Sequence, residues 1–341
     1  MSETTATDED TFSLALYGAS GALGRQLTEA LEGEGLPISD FFAAGALHSA
    51  GGEVAFRGQS IPIRTAGEVD ALEPDVAILA VPADVAEQRR ERLMRAGTLV
   101  VDLSAAGRRN SSMPLIWPAL NVEALASHEG GFAVPGPLTT TVAPIAAALA
   151  RVGKLDAIDV VAMLSAGHCG QRGPADLSAQ TLALMNFRVP DAGSLGGEQA
   201  FNVLIGSREA DADGDSFEQE LRWELPRLSP DFSDTQCHLT AVRIPVFSGL
   251  AATVTARFAA GVELEKSRLE AALRARGDLE DGGLDISLRD AMDSDTVLWG
   301  PMHVDAAQRV VRVTAFADPA HRVASAVAGL LDRMQRSDDL W

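Results

Sequence analysis

Three stretches of the chain combine residue types and spacing suited to chemistry. The first is GASGALG, Gly18 to Gly24, with glycines at i, i+3 and i+6 between the apolar run Phe12–Tyr17 and an amphipathic segment. Strand, glycine turn, helix is the order in which a helix N-terminus offers backbone N–H groups to a pyrophosphate. The residues at issue are Gly18, Ser20, Gly21, Ala22, Leu23 and Gly24. A glycine turn kept only for packing has the same signature. The second stretch, GGFAVPGPLTTTVAP from Gly130 to Pro144, reads as strand, turn and helix start. A nucleophile there would have its developing negative charge stabilised. Yet the turn offers only Pro137, Leu138 and Thr139 to Thr141, and a threonine hydroxyl attacks nothing without a base. The threonines are expected to cap a helix Val142–Val152. The third stretch, GHCGQRG, sets His168 beside Cys169. On an extended chain these neighbours point to opposite faces, so the imidazole is badly placed to activate the thiol. Cys237, inside an apolar strand, reads as a buried thiol.

The elements that must position these residues alternate. Strands are expected at Phe12–Tyr17, Phe41–Ala46, Val76–Val81 and Thr98–Leu103, with a helix after the glycine turn and another at Ala83–Arg95. This is an α/β pattern: a parallel sheet whose ligand crevice lies at the carboxyl ends of its strands. The loops there hold Gly18–Gly24, His48 to Gly52, Pro82 and Ser104–Arg109. No acid follows the second strand to hold a ribose 2′-hydroxyl. His48 and Ser49 could approach a 2′-phosphate, although an ordinary polar loop accounts for them equally, so NAD and NADP both stay open. From Lys154 the pattern changes to long neighbouring strands, Lys154–Ala166, Gln236–Phe247, Ala251–Ala259, Thr296–Val304 and Arg309–Ala317, which predict a mostly antiparallel sheet. The expected division is a flexible tail at 1–11, a nucleotide-binding domain of 12–153 plus 318–341, and a second domain of 154–317. The loop Asp211–Asp215 lacks the ligand ladder of a calcium site, and no metal site is expected.

With 28 basic and 48 acidic residues the formal charge is −20, which repels nucleic acid and anionic membrane surfaces. A small nucleotide stays possible as a partner. No window reaches the roughly 18–20 apolar residues of a membrane span. Two cysteines and a start, MSETTATDED, without a basic or apolar leader point to the cytoplasm.

With these motifs in place, the order GASGALG, SAGG, VVDLSAAGR, PLIWPALN, VPGPLTTT, SAQT, AFN and RIPVFSGL resembles the aspartate-semialdehyde dehydrogenase family over almost the whole chain. The resemblance implies a Rossmann-like NAD(P)-binding domain, an α+β dimerisation and substrate domain, a closing helix that returns to the first domain, and a homodimer. It also implies a reaction of amino-acid biosynthesis, reductive dephosphorylation of an acyl phosphate through a cysteine thioester with hydride from NADPH. Carried over by motif, the nucleophile's place is held by Pro137 and the catalytic histidine's by Leu250, which follows RIPVFSG. Leu164 stands for a glutamine, and Glu220 for a substrate-helix lysine that Arg222 could replace. Arg243 matches the guanidinium that grips the substrate carboxylate, and Arg108 the one at the phosphate end. A strand arginine paired with a buried acid is the alternative for Arg243. The resemblance is closest to the usg-like branch lacking the catalytic cysteine. It implies a silent member with a dinucleotide-binding, regulatory or scaffold role. Two alternatives stand beside it: an active NAD(P)-dependent oxidoreductase with its nucleophile relocated to Cys169, and a structural homodimer with no ligand.

Overall fold

The structure is a computed structural model that describes residues 11–47, 49–206 and 217–337. His48, the loop Asp211–Asp215 and all of the expected tail except Thr11 lie outside the described residues. The chain forms two compact units. Among the described residues, one comprises 11–118, Val122–Pro135 and 323–337; the other comprises Ala119–Asn121 and those within Gly136–Arg322.

The first unit contains β1 (Phe12–Tyr17), α1 (Ala22–Glu34), β2 (Ile38–Gly45), β3 (Glu53–Phe56), β4 (Gln59–Thr65), α2 (Ala66–Asp70), β5 (Val76–Leu79), α3 (Ala83–Arg95), β6 (Leu99–Asp102) and α4 (Ala105–Arg109). The short α5 (Pro118–Asn121) and β7 (Gly131–Ala133) follow. Its seven strands run in the order β3-β4-β2-β1-β5-β6-β7. Every pair is parallel except the β3–β4 hairpin. Strands β5 and β6 are buried along their whole length, as inner parallel strands covered on both faces must be, and so is the short edge strand β7. The hairpin was not expected from the sequence. Its turn, Arg57-Gly58, has φ of +50° and +73°, the two left-handed residues of a tight hairpin turn. Phe41 and Phe56 stack at 4.1 Å to hold this edge.

The second unit opens with α6 (Pro137–Ala150) and β8 (Leu155–Leu164), then α7 (Gly173–Met185), β9 (Leu204–Ile205), α8 (Phe217–Leu228), β10 (Gln236–Arg243) and β11 (Leu250–Phe258). It continues with α9 (Lys266–Arg274), β12 (Leu279–Asp281), β13 (Val297–Asp305) and β14 (Val310–Ala317), and the closing helix α10 (Pro319–Arg336) begins in it. The sheet order is β12-β13-β14-β11-β8-β10-β9, with β12–β13 and β8–β10 parallel and the other pairs antiparallel. One face is covered: Ile158, Val160, Ala162 and Leu164 are at most 2% exposed, whereas Val161 between them is 42% exposed.

Two differences from the sequence expectation have local causes. Strand β10 ends at Arg243 rather than Phe247, because Pro245 cannot donate to a ladder. Helix α6 begins at Pro137 rather than Val142. Proline is well suited to the first helical position, where its missing N–H has no intrahelical partner to lose. The threonines are therefore inside the helix. Gly136 is the N-cap, and the hydroxyls of Thr140 and Thr141 donate to the Pro137 carbonyl. Helix α6 packs on β8, β11 and β14, so the units divide at Pro135 rather than at residue 153.

Candidate functional site

In the first unit, the glycine turn presents the bare start of α1. Its N-cap, Gly21, makes no side-chain cap and the first turn holds no acid. The amides of Ala22, Leu23 and Gly24 have no acceptor within the helix. Gly18 and Gly24 are needed by packing alone. A Cβ on Gly18, whose φ is +88°, would lie 2.1 Å from the Ala80 carbonyl oxygen, and one on Gly24 would lie 2.2 Å from that of Gly18. Gly21 differs: its backbone is extended and a Cβ would meet only the Gly18 carbonyl oxygen, at 3.1 Å. The Arg25 guanidinium donates to the Ser20 carbonyl at 2.9 Å, and the hydroxyls of Ser20 and Ser49 approach to 3.3 Å beyond the end of β2. That end reads Ala43-Ala44-Gly45, without an acid. Arg108, on α4, turns back to donate to the Leu103 carbonyl.

In the second unit, three sequence-identified positions form one row of the sheet. Arg243 pairs with Leu164, and Leu164 with Leu250, so their side chains share the covered face. Leu164 and Leu250 are 1% and 3% exposed. Arg243 is buried as well, and its Nη1 donates to the Leu195 carbonyl at 2.5 Å. Among the described residues it forms no ion pair with an acid, and its Nε has no hydrogen-bond acceptor. Pro137 is the only residue from Gly131 to Ala146 that is not buried. Position 137 therefore opens to the surface while carrying neither a proton nor a nucleophile. The Nε of Arg222 donates to the Cys237 carbonyl at 2.8 Å.

His168 and Cys169 lie in a single 3-10 turn, Ala166–Cys169, rather than on extended chain. Successive residues of such a turn also diverge. Cys169 is half-buried and packs on the cluster Ala166, Leu177, Leu195 and Ala200. Burial pushes the Cys237 thiol up to about 11.

Sequence reasoning missed Glu224. It is 1% exposed on α8 and accepts a hydrogen bond from Gly136 N–H at 2.9 Å. An acid set into the apolar stripe Leu221, Leu225 and Leu228, at i+3 of that stripe, was the available signal. Among the described residues no cluster of three or more His, Cys, Asp or Glu could hold a metal, and no helix is long and apolar enough to cross a membrane.

Residues 13–128 match the family model described as the NAD binding domain of semialdehyde dehydrogenase, and residues 143–282 match that of its dimerisation domain. Among curated proteins, aspartate-semialdehyde dehydrogenase 2 of Vibrio cholerae is 25% identical over 259 residues, 75% of this chain and 76% of that protein. A USG-1 protein homolog of Pseudomonas aeruginosa is 28% identical over 258 residues, 74% of this chain and 75% of that protein. The crystal structure of aspartate semialdehyde dehydrogenase II from Vibrio cholerae superposes with a TM-score of 0.88 at 23% identity, covering 96% of this chain and 99% of that one.

The glycine geometry makes a first prediction. Gly24→Ala lowers stability by about 1–3 kcal/mol through overpacking, with or without ligand, and Gly21→Ser lowers it by less, because its Cβ meets one backbone oxygen at 3.1 Å and serine is a good N-cap; urea denaturation of both variants checks this. A second concerns the thiols. With its pKa near 11, the thiolate fraction of Cys237 is about one in a thousand at pH 8. A disulfide reagent should therefore titrate Cys169 in the native protein and Cys237 only after denaturation.

Proposed function

We propose the following reading for a chain that belongs to the aspartate-semialdehyde dehydrogenase family: it holds a nicotinamide dinucleotide, it dimerises, and it carries out no thioester chemistry. The observation that carries this is Pro137 at the first position of α6. In the family resemblance that position belongs to the thiol, and no environment can make proline a nucleophile. Leu250, buried in the row beside Leu164 and Arg243, likewise supplies no acid or base. The role left is that of a silent, dinucleotide-binding dimer with a regulatory or scaffold function, as in the usg-like branch.

The first unit suits the cofactor. The open amides of α1 would take the pyrophosphate, with Ser20 and Ser49 at the ribose end. The bound group would supply only a redox-active nicotinamide. Arg243, with its Nε uncommitted, is the anion-binding candidate of the second unit, and Arg108 that of the first. A nucleophile relocated to Cys169 is disfavoured by the packing of that thiol on an apolar cluster.

The dimer surface is expected on the exposed apolar groups of the second unit. Phe187 is fully exposed, Val189 is 95% and Phe201 70% exposed. Both phenylalanines hold left-handed backbone, at φ +55° and +56°, a strained conformation for bulky residues.

Assayed with aspartate semialdehyde and phosphate or arsenate, the protein should give no NADP reduction above background; turnover would overturn silence. NADP or NAD should raise Tm, by about 2.7 kcal/mol of stabilisation at a hundredfold excess over Kd, and Gly21→Ser should abolish the shift. No shift with either nucleotide would favour the ligand-free dimer. Light scattering should find a dimer, and the double variant Phe187→Asp/Val189→Asp should elute as a folded monomer.

A further inference from the structure

We infer that Glu224 is a built-in anion occupying the start of α6, so that this turn holds a carboxylate of the chain itself in place of an anionic ligand. Helix α6 has nothing of its own to cap it. The N-cap is glycine, the first turn lacks an acid, Pro137 has no N–H, and the hydroxyls of Thr140 and Thr141 are turned back onto the Pro137 carbonyl. The missing acceptor arrives from 88 positions away, where the Glu224 carboxylate takes the Gly136 N–H at 2.9 Å. This supplies, from another helix, the acid half of a capping box, the bond that takes up the N-cap N–H.

The carboxylate is held there by its own helix. Glu224 lies within the stripe of Leu221, Leu225 and Leu228, all at most 2% exposed, so the period of α8 carries it inward. A buried carboxylate persists only with partners. The turn supplies an N–H donor and the positive end of the α6 dipole. Arg227, one turn further along α8, adds a cation: burial lowers the pKa of its guanidinium and Glu224 raises it.

Once ionised in that place, Glu224 repels a second anion at the same amide and neutralises the partial charge that would attract one. The turn that the family resemblance gives to the nucleophile is thus closed to phosphate or carboxylate oxygens by an internal contact. This goes beyond the functional reading and does not rest on it: a chain found to be active would fail the turnover assay above and leave the present result unaffected.

The test is the Tm of the full-length chain, as wild type, Glu224→Gln and Glu224→Ala, in sodium chloride and in sodium formate at equal ionic strength. Glu224→Ala should lose about 5 °C in chloride and regain at least half of it in formate, which fits the vacated volume and restores the charge. Wild type and Glu224→Gln, whose side-chain volume is intact, should not respond to formate. The inference is overturned if Glu224→Ala melts with wild type, if formate fails to restore it, or if formate shifts all three proteins alike. Should Glu224→Ala be recovered only from denaturant, refolding yield in formate against chloride reads out the same two results.

Discussion

The second unit is organised around one helix whose backbone cannot complete itself. Pro144 sits inside α6, and its missing N–H is the one that would have reached the Thr140 carbonyl four residues back. The carbonyl is not orphaned. The guanidinium of Arg322, among the largest fully buried side chains, donates to it through Nη1 and to the Asp295 carbonyl through Nε. At the other end of the same turn, Glu224 accepts the Gly136 N–H. A buried backbone group left unsatisfied costs about 1–3 kcal/mol, so each distant side chain closes a gap that would otherwise destabilise the core. Burial lowers the Arg322 pKa to about 10, with Asp278 and Asp295 opposing the shift. The guanidinium therefore stays charged at neutral pH.

The shape of this turn is therefore set by contacts from outside it. The start of α6 is fixed by α8, by the first turn of α10 and by the sheet beneath it. A scaffold held in this way is compatible with a reactive or an unreactive turn, so fold alone says little about activity. The helix start of the first unit has the opposite character. Helix α1 has a glycine cap, no side-chain cap and no acid in its first turn, and the side chain that returns to the turn is the cation Arg25, so the chain supplies no anion there. The two helix starts look alike as strand, glycine turn and helix, and they differ in whether the chain supplies the anion itself.

Much of this architecture was legible in the residues. The run FSLALY before the glycines, the helix Ala83–Arg95 and the long strands of the second unit stand within a few residues of where periodicity put them. The β3–β4 hairpin was not legible, because its turn is Arg57-Gly58 and its strands alternate only weakly. The start of α6 was misplaced because the prolines read as breakers, whereas Pro137 stands at a position that tolerates it and Pro144 is compensated by Arg322. That compensation spans 182 residues of sequence, and no local pattern announces it. Glu224 left a faint local trace as an acid in an apolar stripe, but its partner 88 residues earlier did not. Local rules locate elements; contacts of this length appear only once the chain has folded.

The motifs that carry the family resemblance differ in how much they say about function. Gly18 and Gly24 would clash with carbonyl oxygens if they bore a Cβ, and packing retains them whatever binds. The SAQT and AFN motifs are joined by one side chain. Gln180 accepts from the amides of Gln199 and Ala200, donates to the carbonyls of Asp191 and Gly197, and so ties α7 to the segment before β9 with all four of its hydrogen-bonding sites used. Such residues persist because removing them would leave buried polar groups unsatisfied. The informative positions are those that packing does not require. Gly21 has an ordinary backbone conformation, and a Cβ there would meet one atom, the Gly18 carbonyl oxygen at 3.1 Å, so packing demands its lack of a side chain less strongly than at Gly18 or Gly24. Arg243 is a buried cation whose Nη1 is engaged by a backbone carbonyl and whose Nε has no acceptor among the described residues. Burying a guanidinium without a paired acid costs free energy, and an anion held there would offset it. These two positions, one in each unit, separate a retained binding function from a retained fold.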